Sequence, residues 1–481
     1  MMSEDVLHTE PEILESPEEV LSTLTREGKR RWMYPVQSDG RFLMRRRLVA
    51  WTLVFLYVAL PIIPIGGNPA VLLDFINRRF AIFGLVLYPT DTILLMIFII
   101  GALLSVILFT SLLGRVWCGW ACPQTVYMEF LFRPIERWLE GSEHVRKRRN
   151  EGPFSLDRIW RKSVKLGIFL AISLILAHTF VAYFVGWEAL LVWIQSPPAT
   201  NWGFFLMMAV TTGLILFDFG YFREQMCTIV CPYARMQSVL LDPDSMIVSY
   251  DPTRGEPRGK RSRKRLDDET AGIQAPMGDC IDCLACVRTC PTGIDIREGL
   301  QMECIACTQC IDACDAIMDR IEKPRGLIRY TSERDLSGSK TSYLRPRTVV
   351  YGVLLVGILT AFTTVLTARD AYDVDVGRVA GDPFIVLPDG RIANRLRFRV
   401  RNQTSEPVSF DLSARTPEGA QIQAVGALPV LLDPGEMKRV ESWVIVPAEA
   451  FRSDAVEGIF ELDFSDGERV DAQFLLLGPT N

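Results

Sequence analysis

All twelve cysteines of this 481-residue chain fall into four short motifs, and none is left over. Cys280, Cys283, Cys286 and Cys290 form a C-x2-C-x2-C-x3-C run closed by Pro291, and Cys304, Cys307, Cys310 and Cys314 repeat the spacing. The other four make two C-x3-C-P pairs, Cys118 and Cys122 before Pro123, and Cys227 and Cys231 before Pro232. In the longer runs, three closely spaced thiolates grip one cubane while the fourth reaches the neighbouring cluster. Cys280, Cys283, Cys286 and Cys314 are therefore expected to hold one 4Fe–4S cluster, and Cys304, Cys307, Cys310 and Cys290 a second. Zinc also accepts C-x2-C ligands, but zinc sites rarely need eight cysteines in this paired spacing. The chain reads as an electron carrier.

Asp315 stands where the second run would carry proline. A carboxylate there is expected either to lower the potential of the nearby cluster or to expose it to water. The C-x3-C-P pairs leave more open. If helical, residues i and i+4 share a face and offer two sulfurs side by side, and proline next in line fits the first turn of a new helix. Two soft thiolates suit Cu(I) or a redox dithiol, while the bland reading is two small buried hydrophobes. Met128, Met226 and Met236 lie near the pairs in sequence, but apolar helices usually use methionine for packing. His178 and Asp218 are ionisable groups in apolar stretches. There is no C-x-x-C-H for haem attachment, and no G-x-G-x-x-G or P-loop, so direct oxidation of a nicotinamide dinucleotide is not expected.

Apolar residues make up 49% of the chain and its mean hydropathy is positive. Five stretches, 48–65, 90–113, 164–185, 203–221 and 348–366, approach the roughly 20 residues that span a bilayer. Net charge is only -5, yet positive charge is concentrated at Arg45-Arg46-Arg47, Arg146-Lys147-Arg148-Arg149 and 258–265. Each run lies near the end of an apolar stretch, which favours an inward-facing membrane anchor over nucleic-acid binding. The acidic first residues show no cleavable signal. Clustered thiols of metal-type spacing belong in a reducing compartment. With the basic runs inside, all twelve cysteines fall on the cytoplasmic side and the chain after the fifth span lies outside. A weak internal repeat pairs 90–132 with 203–241, each a helix running into C-x3-C-P.

The region after Arg369 changes character. Residues 395–402 alternate charged and apolar side chains, the period of a half-buried strand. Pro388-Asp389-Gly390, Asp433-Pro434-Gly435 and Asp466-Gly467 punctuate further strand-like runs. Short strands with regular turns predict an immunoglobulin-like β-sandwich without a disulfide. The expected organisation is a multi-domain membrane protein: an N-terminal tail (1–47), a four-helix region with both C-x3-C-P motifs (48–245), an inserted bacterial-type two-cluster ferredoxin domain (246–340), a fifth span (348–368) and the β-sandwich (369–481).

Asp279-Cys-Ile-Asp-Cys283, Pro291-Thr-Gly-Ile-Asp-Ile-Arg297, Cys304-Ile-Ala-Cys307 and Cys310-Ile-Asp-Ala-Cys314 resemble the FixG/RdxA/CcoG family of accessory proteins for cbb-type cytochrome c oxidase. So do Trp117-Cys-Gly-Trp-Ala-Cys-Pro-Gln124 and Cys231-Pro-Tyr-Ala-Arg-Met-Gln237. The resemblance covers nearly the whole chain. It implies a cupric reductase of the bacterial inner membrane, with Cys118, Cys122, Cys227 and Cys231 binding copper or carrying the terminal redox step. Expected partners are copper ions, a copper transporter, copper chaperone or oxidase assembly factor, an unidentified electron donor and a second copy of the chain. The alternative is a NapH-like ferredoxin that oxidises quinol and passes electrons outward; the long β domain favours the first reading.

Overall fold

A computed structural model describes residues 23, 29–75, 79–88, 91–153, 155–260, 277–404 and 406–479. The acidic N-terminal stretch and residues 261–265 of the third basic run lie outside them. The chain divides into two compact units, one built mainly from the residues up to Ile63 and from Leu95–Thr360, the other from Phe75–Leu94 and the chain from Ala361 onward.

Among the described residues, four helices are long and apolar enough to cross a membrane: Thr92–Leu113, Leu156–Val185, Pro198–Phe222 and Pro346–Thr367. They correspond to four of the five expected spans. The remaining one, expected over 48–65, is a shorter helix, Arg41–Ala59, whose first turns carry Arg41 and Arg45-Arg46-Arg47. That leaves about twelve apolar helical residues, roughly 18 Å of rise against the ~30 Å of a bilayer core. Pro61 and Pro64 lie just beyond its end, and Pro64–Ile65 turns back on Asn68–Pro69 as a small hairpin.

In the first unit the strands Ile247–Tyr250 and Ile328–Thr331 pair antiparallel and bracket the eight-cysteine region. Val248, Ile296, Ile311, Met318 and Ile328 close its core around Cys280, Cys286 and Cys314. The two cysteine runs fold alike. Asp282 and Leu284 in one, and Ala306 and Thr308 in the other, adopt left-handed backbone conformations at matching positions. Such residues cost about 1 kcal/mol or more each, so their repetition marks a conformation that the loops must hold. Leu284 and Thr308 then open the helices Ala285–Arg288 and Gln309–Arg320.

The short Arg41–Ala59 helix is fastened to this region. Asp312 accepts the backbone N–H groups of Phe42 (3.2 Å) and Leu43 (2.8 Å), satisfying donors that a helix start leaves free. Gly40 lies against the same carboxylate, with no room for a Cβ.

In the second unit two antiparallel sheets face each other. One orders Gln421–Ala424, Met437–Val446, Ile392–Asn402 and Tyr372–Arg378; the other orders Val430–Leu432, Val408–Thr416, Ala455–Phe464 and Arg469–Leu477. The alternation read from the sequence is the inward pattern: Leu396, Phe398 and Val400 are fully buried against Phe410, Phe460 and Leu462. Gly390, Gly435 and Gly467 turn with positive φ where the Asp/Gly signals lie.

Candidate metal and electron-transfer site

Cys280, Cys283, Cys286 and Cys314 line one small cavity. Cys290, Cys304, Cys307 and Cys310 line a second, with Cys286 between the two. Each cavity brings together the four cysteines that the spacing groups, the last cysteine of each run lying with the other three of its neighbour. Among the described residues, no three His, Cys, Asp or Glu side chains converge as they would on one metal ion. Burial pushes the Cys286, Cys307 and Cys314 thiols up to about 12. Deprotonation there requires a compensating positive centre, as in any buried thiolate ligand.

Arg46 supplies part of that charge. It is 1% exposed, its Nε donates to the Gly119 carbonyl at 2.9 Å, and neither terminal nitrogen has a hydrogen-bond partner among the described residues. Its charge favours the Cys307 thiolate. Unpaired guanidinium N–H groups beside a cluster cavity fit hydrogen bonding to the acidic sulfurs of a bound cluster. The sequence reading assigned Arg46 to an inward-facing basic run. Its neighbours Arg45 and Arg47 are exposed, whereas Arg46 shares the buried helix face of Leu43 and Ala50. That three-and-four spacing was the available signal.

Asp315 does not open the site to water. It is buried, pairs with Arg41 at 3.2 Å and accepts the Gly326 N–H at 3.0 Å. Its negative charge remains close enough to disfavour the Cys314 thiolate.

Each C-x3-C-P motif is broken at its second cysteine. Cys118 lies in the helix Val116–Trp120, but Cys122 is extended and precedes the helix Pro123–Tyr127. Cys227 lies in the wide turn Met226–Val230, and Cys231 is extended before Pro232–Leu240. The expectation of a shared i, i+4 helix face is corrected here. Proline forces the residue before it out of the helical region, so the second sulfur cannot continue the helix. Proline does begin each new helix, as expected.

The two copies of the repeat pack reciprocally. Gln124, just after the first motif, donates to Asp218 (3.1 Å) and to the Arg223 carbonyl (3.0 Å), which precede the second. Gln237, just after the second, accepts from the Cys118 thiol at 3.3 Å, and Tyr233 bonds Thr110 at 2.9 Å. Burial pushes Cys118 up to about 12 and raises Cys122 and Cys227; any charge on one thiol disfavours charge on its neighbours. The four cysteines thus form one half-buried neighbourhood in which a negative charge on Cys118, Cys122 or Cys227 is disfavoured unless a cation offsets it.

That neighbourhood abuts the second cluster loop. A Cβ on Gly119, between Cys118 and Cys122, would lie 2.5 Å from the Ala306 carbonyl, between Cys304 and Cys307. Trp120 donates to Tyr330 (2.9 Å), which donates to the same carbonyl (3.1 Å). Arg115 joins three segments, donating to the carbonyls of Met302, Cys304 (3.2 Å) and Ala234 (3.0 Å). Neither Arg115 nor Gly119 stood out in the sequence, because a contact across some 190 positions leaves no local pattern.

Of the lesser candidates, Met128 is core packing beside Phe132 and Phe219. Met236 is exposed. His178 donates Nδ1–H to the Leu174 carbonyl (2.7 Å) and borders an apolar cavity of about 540 Å³ with Trp193 and Phe204.

Family models agree with this layout. One described as a 4Fe-4S dicluster domain matches residues 222–333. Another, a 4Fe-4S binding domain, matches 94–143, where Cys118 and Cys122 are the only cysteines. A third, the IG-like fold at the C-terminal of FixG, matches 362–479. The chain is 36% identical to protein RdxA of Cereibacter sphaeroides over 409 residues, 82% of this chain and 84% of that one. It is 31% identical to nitrogen fixation protein FixG of Rhizobium meliloti over 477 residues, 89% of each. Similarity to the ferredoxin-type protein NapH of Haemophilus influenzae is lower, 24% over 45% of this chain and 65% of that one. The similarity thus runs over most of the length of both chains, and this chain, with its cluster cavities, thiol motifs and C-terminal sandwich, belongs to the FixG/RdxA family of membrane-associated iron–sulfur electron-transfer proteins.

Proposed function

We propose that this protein reduces Cu(II) to Cu(I) at its paired thiols and thereby supplies cuprous copper for assembly of a cbb-type cytochrome c oxidase. Cys280, Cys283, Cys286 and Cys314 would hold one cluster, and Cys290, Cys304, Cys307 and Cys310 the other. When bound, such clusters store and release single electrons, matching the one electron that converts Cu(II) to Cu(I). The observation that carries the reading is the contact of Gly119 with Ala306, which puts the Cys118–Cys122 loop directly on the Cys304–Cys307 loop. Copper, as substrate, meets soft sulfur ligands that favour its cuprous state. On this reading the cysteines face the cytoplasm of a bacterial inner membrane, and the β-sandwich faces the periplasm and docks an assembly partner.

The test is anaerobic reduction of Cu(II) by the dithionite-reduced full chain, read with a Cu(I)-specific chelator. Changing Cys118, Cys122, Cys227 and Cys231 to alanine is expected to abolish reduction while cluster absorbance stays. Reduction indifferent to all four sinks the proposal. A second reading, quinol oxidation, draws support from the apolar cavity beside His178, which has room for a quinone ring. Cluster reduction by a quinol analogue, lost in His178→Ala, would favour it.

A further inference from the structure

A cavity of about 900 Å³ in the first unit has no role in the reading above. Its size is that of a small-molecule site. Eight of its lining side chains are Arg or Lys, against four Glu. Two of those carboxylates are already matched: Glu136 by Arg223 (2.9 Å) and Arg146 (3.2 Å), and Glu140 by Lys165 (2.8 Å). Arg31, Lys147 and Lys162 also line the cavity, and none makes an ion pair among the described residues. An excess of uncompensated cations around a concave site attracts an anion.

Two further features narrow the class of anion. Trp32 and Tyr34 also line the cavity, with the Arg30 guanidinium 3.8 Å from the centre of the Trp32 ring and that of Arg146 5.8 Å from the Tyr34 ring. Their segment is pinned to the cluster region: Val36 N–H donates to the Arg288 carbonyl (3.0 Å), and the Thr289 hydroxyl donates to the Val36 carbonyl (2.7 Å). Tyr34 is held by Asn150 at 2.9 Å. Next to Thr289, Cys290 itself forms part of the cavity wall. The cavity thus reaches, with no further residue between, a cysteine expected to hold a cluster.

We propose that this cavity binds a phosphorylated flavin, its isoalloxazine ring against Trp32 and Tyr34 and its phosphate among Arg31, Lys147 and Lys162. The inference rests on the eight-cysteine region being the electron store. A nicotinamide delivers a hydride pair, whereas a flavin accepts hydride and gives up electrons singly. A quinol would leave its apolar tail among charged side chains. Oxidation of the dihydroflavin releases two electrons and two protons; the electrons pass singly to the two cluster sites, one each, and the protons to water.

The experiment is an anaerobic titration of flavin mononucleotide into the full chain in detergent, read by flavin fluorescence. Riboflavin, inorganic phosphate and ADP serve as competitors. Saturable quenching is expected, at least tenfold weaker for riboflavin and at least tenfold weaker in Lys162→Gln and in Arg31→Gln. Lys162→Arg should restore it. Cluster absorbance verifies folding, and Arg31, exposed at the cavity rim, supplies the informative variant should Lys162→Gln not fold. The absence of binding, binding equal in wild type and both Gln variants, or displacement by phosphate or ADP as effective as by the flavin itself overturns the proposal. Copper reduction with dithionite is independent of the cavity, so its persistence without flavin binding removes this inference and leaves the copper reading standing.

Discussion

At the scale of single residues, Arg46 has the largest consequence. A guanidinium buried beside Cys307 without a counter-charge is costly unless something anionic adjoins it. A cluster with four thiolate ligands is such a group, and each added electron strengthens the attraction. Arg46→Gln is therefore expected to make the adjacent cluster harder to reduce, by about 60 mV or more, a tenfold change in a one-electron equilibrium. The cluster in the Cys280 cavity should keep its potential. An EPR-monitored redox titration separates the two, and equal shifts in both would argue for a general structural effect. The same residue shows where sequence reading stops. Arg45-Arg46-Arg47 reads as one charge run, and only the helical face shared with Leu43 and Ala50 separates the middle member. By contrast the grouping of cysteines around the two cavities was legible from spacing, because cubane geometry dictates which thiolates are reachable from three positions in a short loop.

At the scale of elements, the outcome depended on how local the determining forces are. Proline after each second cysteine acts on its immediate neighbour, so the restart at Pro123 and Pro232 was legible. Its effect on Cys122 and Cys231 was legible too, through the rule for residues preceding proline, although the i, i+4 reading passed over it. The buried ion network joining the motifs was not legible. Glu136, on the short helix Arg133–Glu140, meets Arg223, Arg146 and Lys165, which lie on three other segments. Burial alone would raise its carboxyl, but Arg223 and its companions outweigh that and hold it at about 2, below the ordinary 4.5. A depressed carboxyl contributes stability that is present above its ordinary value and lost as pH falls through the folded value. The thermal midpoint of the wild type should thus fall between about pH 5 and 2 partly through this group. Glu136→Gln should be less stable at neutral pH, with Arg223 and Arg146 left buried without their carboxylate, and the gap should close toward pH 2. A gap that stays constant across the range would remove Glu136 from the acid response.

At the scale of the whole molecule, the chain contains two structural problems solved separately. The sandwich closes its own core around Leu396, Phe398, Phe410 and Phe460, none of which belongs to the cysteine region. Alternation and turn signals made it legible, since each strand's pattern is set by one buried face. The thiol-to-cluster contact was illegible because it joins residues near 119 and 306 through packing that no periodicity records. If electron storage and copper reduction reside in the first unit, the second is dispensable for chemistry. A chain ending at Thr367, where the last membrane-length helix stops, is then expected to retain its clusters and its dithionite-driven Cu(II) reduction. The truncation leaves Asp91 without Arg369 (2.8 Å) and Tyr88 without Arg401, whose guanidinium lies 4.7 Å from its ring. Some loss of thermal stability in the Leu85–Leu87 region should follow, and limited proteolysis there is the control. Loss of cluster absorbance on truncation would mean that the sandwich is needed to build the electron carrier. Intact clusters with copper reduction lost would instead assign the sandwich a part in the chemistry, against the division argued from the two cores.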